Sequence, residues 1–176
     1  ARELVLAGGG HSHVIFLRML AMRPIPGLRV TLISPDFETP YSGMLPGFVA
    51  GHYRRDEVYI DLVPLCRFAD AEFVVGSVEA VDPDQQTITV QGRPPLRYDV
   101  LSIDVGSTPS LGGLEDARVI PVKPIGNFLE HWQAFLERFA SGHVRDIGFV
   151  GAGAGGIELC LAVSHFLEYR YPDFPF

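Results

Sequence analysis

Apolar residues along this chain follow two patterns, short runs that stop at glycine and longer stretches with helical spacing. Glu3–Ala7 is a short apolar run ending at Gly8-Gly9-Gly10, which predicts a buried strand meeting a glycine-rich turn. From Ser12 to Met22, the residues Val14, Leu17, Leu20 and Ala21 recur at helical spacing until Pro24 and Pro26 stop the pattern. Leu28–Ile33 predicts a second strand, ended by Ser34-Pro35-Asp36. Together these form one β-α-β unit, with parallel strands and a right-handed crossover.

The next stretch, Thr39–Gly51, carries Pro40, Gly43, Pro46 and Gly47 and holds a short helix at most. Asp61–Ala69 predicts a short helix with Pro64 in its first turn. Glu72–Asp82 then predicts a strand, Asp82-Pro83-Asp84 a turn and Thr87–Gln91 the returning strand, a small antiparallel insertion. Arg97–Asp104 predicts a further strand, closed by Gly106 and Pro109. A linker over 111–126 leads to a second series: helix Asn127–Ala140, strand Asp146–Val150 and a helix from Gly155 to Tyr169.

Strand, glycine turn and helix thus occur twice, with Gly8 and Gly151 separated by 143 positions. That period is too long for a solenoid and suits two successive nucleotide-binding domains. The expected fold is α/β: a Rossmann-like domain over residues 1–110, parallel sheet with helices and the antiparallel insertion, then the start of a second over 127–176. Only 20 residues follow Gly156, and a β-α-β unit needs about 30. The expectation is therefore the front part of a longer protein.

The second turn, Gly151-Ala152-Gly153-Ala154-Gly155-Gly156, satisfies G-x-G-x-x-G between a predicted strand and a predicted helix. Gly151 allows a tight strand exit, Gly153 lets a pyrophosphate approach the backbone, and Gly156 lets helix and strand pack closely. The acidic residue that selects NADH or NADPH would come later, so the choice stays open. The first turn departs from the pattern, with His13 at the third glycine position. Ser34 stands where a ribose-binding carboxylate is expected, and Asp36 follows two residues later. With His13 taken as a packing side chain, His13→Gly is expected to be tolerated for FAD binding, within about 1 kcal/mol.

Two glycine turns, the small sheet insertion and the stretch Tyr98-Asp99-Val100-Leu101-Ser102-Ile103-Asp104-Val105-Gly106-Ser107-Thr108-Pro109 resemble the pyridine nucleotide-disulfide oxidoreductase superfamily. Its members carry Y-D-x-L-x-x-A-T-G-S-x-P where the chain crosses the FAD pyrophosphate; here Asp104-Val105-Gly106 replaces A-T-G. Gly151–Leu159 resembles the G-A-G-A-T-G-V-E-L of type II NADH dehydrogenases. Pro40-Tyr41-Ser42-Gly43-Met44-Leu45-Pro46-Gly47 and Gly8–His13 are similar to the flavoprotein domain fused ahead of selenide, water dikinase.

The resemblance implies FAD and NAD(P)H as cofactors, with hydride passing from nicotinamide to flavin and on to a quinone or other small acceptor. It places Gly8, Gly10 and Ser12, with His11 and His13 beside them, at the FAD pyrophosphate, and Val105, Gly106 and Ser107 where the chain crosses it. Ser34 and Asp36 come near the adenosine ribose, Val78 at the adenine, and Tyr41, Ser42, Met44 and Leu45 toward the flavin. Gly151, Gly153 and Gly156 receive the nicotinamide cofactor. Glu158 lies near the nicotinamide–flavin contact and Lys123 faces the flavin, the two catalytic candidates.

Composition narrows this picture. A net charge of -7 without a Lys/Arg stripe argues against nucleic acid or an anionic membrane as the main partner, although peripheral membrane contact of the full-length protein stays open. Cys66 and Cys160, far apart, exclude a disulfide framework and fit a reducing, cytoplasmic setting. No redox Cys pair stands near Tyr41–Leu45, so both thiols read as inert. No metal is expected: His11 and His13, two apart on a helix, do not share a face. The rival reading is a non-catalytic nucleotide-binding or regulatory module of a larger fused protein.

Overall fold

The structure, a computed structural model, describes residues 1–114, 116 and 118–172. The chain divides into two compact units, Ala1–Thr39 with Ile60–Ser107, and Pro40–Tyr59 with Thr108 onward.

The first unit is built on a four-stranded sheet in the order β5-β2-β1-β9: Glu72–Val75, Leu28–Ser34, Arg2–Ala7 and Val100–Ile103. All three pairings are parallel, and Leu4 of β1 lies level with Val30 of β2 and Val100 of β9. Successive side chains alternate between two covered faces. Leu6, Val30 and Leu32 pack beneath α1 (His11–Met22) and α4 (Leu62–Phe68), against Leu17, Leu20, Leu62 and Cys66. Val5, Ala7, Ile33 and Val74 face the other way, onto Ile88 and Val90. Those two belong to an antiparallel sheet of β6 (Val78–Asp82), β7 (Thr87–Val90) and β8 (Leu96–Arg97). Burial on both faces is why β1 and β2 are apolar without alternation. Each fully buried Leu, Ile or Val contributes roughly 1.5–3 kcal/mol.

In the second unit, a 3-10 turn at Ser42–Met44 runs into α2 (Leu45–Val49), and α3 (Arg55–Val58) follows. The main elements are α5 (Ile125–Ala140) and α6 (Ala154–Arg170). Phe128, Trp132, Phe135 and Phe139 recur on one face of α5, and Trp132 meets Phe166 of α6 edge-on at 5.7 Å between ring centroids. Phe139 meets Tyr171 at 5.1 Å. Leu45 and Val49 of α2 close the same core against Leu159, Ala162 and Val163. β3 (Glu38–Pro40) and β4 (Tyr59–Asp61) pair where the chain leaves and re-enters the first unit.

The observed elements differ from the sequence expectation at four places. Residues 40–59, expected within the 1–110 domain, join the second unit because Leu45 and Val49 are spent on the α5–α6 core. The expected strand Glu72–Asp82 is two strands, β5 pairing with β2 in parallel and β6 with β7 in antiparallel. The expected strand Arg97–Asp104 likewise divides. Tyr98 N–H donates to the Gln86 carbonyl, whereas Asp99 exchanges with β1, its N–H donating to Glu3 O and its carboxylate accepting from Glu3 N–H at 2.7 Å. Asp146–Val150 forms no strand: none of the described residues pairs with it, and Val150 is 86% exposed. A strand without a ladder partner leaves its backbone groups to water. The helix with Pro64 in its first turn is present as α4, where the Asp61 carboxylate accepts from Val63 N–H at 3.0 Å. Among the described residues, no helix is long and apolar enough to cross a membrane.

Cys66 lies on the buried face of α4 at 1% exposure, and burial pushes its thiol up to about 11. An unfolded cysteine ionises at about 8.5. Between these values the folded chain keeps a proton that the unfolded chain has lost, so stability present below about pH 8.5 declines as pH rises toward 11. In the native protein at pH 8, Cys66 is expected to resist iodoacetamide while the half-buried Cys160 reacts. Mass spectrometry of the alkylated native and urea-unfolded protein checks this; equal labelling of both thiols in the native state would refute it.

Candidate functional site

The first turn is shaped by how closely it approaches the end of β9. Gly8 has φ +96, and a Cβ on it would sit 2.7 Å from the Asp104 carbonyl carbon and 2.9 Å from Val105 Cα. Only glycine fits here, on conformation and on space. Gly8 N–H donates to Ile33 O at 2.8 Å, tying the turn to β2. Gly9 faces the first ribose candidate, since a Cβ there would lie 3.3 Å from Ser34 Oγ. Ser34 is buried at the end of β2 and accepts from Asp36 N–H at 3.3 Å, while Asp36 itself is exposed.

α1 begins immediately after the turn, so its first backbone N–H groups and the positive end of its dipole face the turn mouth. His11 and Ser12 are exposed there. Ser12 N–H donates to the Asp104 carboxylate at 2.9 Å, and Gly10 N–H to the Asp104 carbonyl at 3.1 Å. The volume that a Cβ on Gly10 would take is filled by the Asp104 carboxyl group. The turn thus already holds an anion, the chain's own. This fits a group that presents phosphate oxygens, because the same N–H donors serve carboxylate and phosphate alike.

His13 has a different place. It is buried, with Nδ1 2.7 Å from Gly8 O and Nε2 2.8 Å from Ser102 Oγ. Gly8 O only accepts, so Nδ1 carries the proton; in the neutral ring Nε2 accepts from the Ser102 hydroxyl. Both ring nitrogens are spent on the protein, joining α1 to the turn and to β9. A glycine here would leave both partners without the ring. Sequence reasoning passed over Ser102 and Asp104 as site residues, although Asp104 was visible as the departure from A-T-G. Val105, Gly106 and Ser107 follow β9 on the surface, and Val78 opens β6 on the antiparallel sheet.

The second turn lies in the second unit. Gly151 has φ +108, and a Cβ on Gly156 would collide with the Gly151 carbonyl oxygen. Gly153 is the N-cap of α6, and a Cβ there would meet nothing within 4 Å. The turn therefore packs where the motif requires packing and stays open where it requires space. A cavity of about 120 Å³ beside it is lined by Ser42, Leu45, Lys123, Gly155 and Glu158, among others. The structure thus brings both catalytic candidates to one cavity. Tyr41 and Met44 flank Ser42 in sequence and are half-buried. Among the described residues, no three His, Cys, Asp or Glu side chains form a group able to hold a metal.

Comparison with known proteins adds to this geometry. No protein-family model matches the chain. Sulfide-quinone reductase of Aquifex aeolicus is 32% identical over 109 residues, 60% of this chain and 24% of that protein. NADH dehydrogenase-like protein YutJ of Bacillus subtilis is 25% identical over 165 residues, 90% of this chain and 44% of that protein. Among solved structures, NDH2 of Plasmodium falciparum in complex with NADH matches with TM-score 0.78 and 19% identity, over 98% of this chain and 39% of that one. The chain is thus similar to members of the pyridine nucleotide-disulfide oxidoreductase superfamily, type II NADH dehydrogenase-like. It spans less than half the length of the curated relatives it matches. Aquifex aeolicus sulfide:quinone oxidoreductase shares the fold, with TM-score 0.73 over 97% of this chain and 41% of that one at 24% identity.

His13 is predicted to be a structural residue. His13→Ala leaves a buried carbonyl and a hydroxyl without partners and opens a cavity, an expected loss of about 2–4 kcal/mol. His13→Gly should lose about 1 kcal/mol more, the helix cost of glycine. Urea denaturation followed by circular dichroism measures both. An unchanged midpoint would show that the ring's two hydrogen bonds contribute nothing.

Proposed function

We propose that this chain is the N-terminal part of an FAD-dependent NAD(P)H oxidoreductase. Its expected organisation is an FAD domain over 1–110, a linker over 111–126 and the start of an NAD(P)H domain over 127–176. The observation that carries the reading is the duplicated turn: each glycine loop opens a helix in its own compact unit. Bound FAD would supply a hydride acceptor for the nicotinamide and an electron donor for a small acceptor. Gly8, Gly10 and Ser12 are assigned to the FAD pyrophosphate, and Ser34 with Asp36 to the ribose. Val78 is assigned to the adenine. Tyr41, Ser42, Met44 and Leu45 are assigned to the flavin. Gly153 is assigned to the nicotinamide pyrophosphate. Lys123 and Glu158, on one cavity, are assigned to the flavin–nicotinamide contact, where they exclude water and orient the rings.

A quinone is the favoured acceptor. Similar proteins include a sulfide-quinone reductase, and no cysteine pair accompanies Tyr41–Leu45. The two cysteines of the chain are free, which suits a cytoplasmic setting. The alternative, a non-catalytic nucleotide-binding module, draws on His13 and Asp104, whose polar atoms at the first turn are engaged by the protein. A yellow full-length protein bleached by NADH decides for the oxidoreductase, and a colourless one that binds only adenine nucleotides decides against it.

Gly153→Val is the sharper test of the two-cofactor assignment. The open space around Gly153 lets the backbone accept valine, so the variant should fold and retain flavin. The added methyl groups occupy the place of a phosphate. Reduction of the bound flavin at low NAD(P)H should slow at least tenfold while dithionite still reduces it. Reduction as fast as the parent would leave the second turn a structural bend only.

A further inference from the structure

We infer that Asp104 holds the phosphate seat of the first turn and that an incoming dinucleotide must displace its carboxylate. The inference rests on the FAD assignment above. Asp104 is tied at three points, to the end of β1, to the turn and to the start of α1. Its N–H donates to Ala7 O at 2.8 Å, its carbonyl accepts from Gly10 N–H at 3.1 Å, and its carboxylate accepts from Ser12 N–H at 2.9 Å. The carboxyl group fills the space left by the missing side chain of Gly10. In this motif that space is what lets a pyrophosphate reach the backbone.

A pyrophosphate and a carboxylate compete for the same donors, and two anions do not share such a seat without repulsion. The bonds differ in what displacement costs. The backbone pair between Gly10 and Asp104 is part of the β9–turn contact and stays. The side-chain bond to Ser12 is exposed and is made by a short side chain whose rotation frees the N–H. Asp104 thus acts as a built-in anion that lowers the affinity of the first turn for dinucleotides and slows their entry. His13 and Ser102 fix the end of β9 from which Asp104 reaches the turn.

The test uses full-length apoprotein, with FAD and ADP titrated separately into the parent, Asp104→Asn and Asp104→Ala. ADP carries the diphosphate without the flavin, and riboflavin serves as the phosphate-free control. Melting curves confirm that each variant is folded. Asp104→Asn keeps the size of the side chain and removes its charge. It is expected to tighten FAD and ADP at least tenfold and to speed association, with riboflavin unaffected. Asp104→Ala should tighten both ligands in the same direction. Parent-like or weaker FAD and ADP binding by a folded Asp104→Asn overturns the inference and leaves the FAD assignment standing. Absence of FAD and ADP binding by parent and variants alike overturns the FAD assignment and the inference with it.

Discussion

The close approach of the Gly8 backbone to Asp104 governs the first unit. β1 lies between β2 and β9, and all three strands run in parallel toward the same edge. Where they end, the chain turns into α1 with no side chain at Gly8 to hold β9 away. That contact brings Asp104 to the first N–H groups of α1 and Ser102 to the ring of His13. Any larger residue at Gly8 would separate strand from turn and move both. The geometry of the candidate dinucleotide site thus follows from one backbone contact.

The two glycine turns solve the same packing problem differently. At the second, Gly156 lies against the Gly151 carbonyl, and closeness alone joins helix to turn. At the first, the equivalent position carries an imidazole, and hydrogen bonds replace closeness. A buried polar ring stabilises only when each of its nitrogens is matched, and here both are. The substitution therefore preserves the turn by other means and makes it depend on Ser102.

The second unit relies on aromatic packing. Phe128, Trp132, Phe135 and Phe139 on α5 meet Phe166 and Tyr171, and the short α2 adds Leu45 and Val49. This core positions the start of α6, and with it Gly153 and Glu158. The segment 146–150 keeps the composition of a strand but pairs with none of the described residues, leaving Phe149 and Val150 exposed. Composition creates the tendency to extend, and only a neighbouring strand turns it into structure.

The sequence by itself determined the element types around both turns. Glycines mark where the backbone needs space or left-handed φ, and apolar spacing marks α1, α5 and α6, because these are local demands. The resemblance to the superfamily was legible for the same reason. Tertiary structure alone decided where one apolar run divides between two sheets, since pairing of β5 with β2 and β6 with β7 depends on residues far apart in the chain. It also decided that residues 40–59 serve the second unit, and that Lys123 and Glu158, 35 positions apart, line one cavity. The role of Asp104 was likewise beyond the sequence. Its carboxylate reaches Ser12 across 92 positions, and only the parallel pairing of β1 with β9 brings the two together.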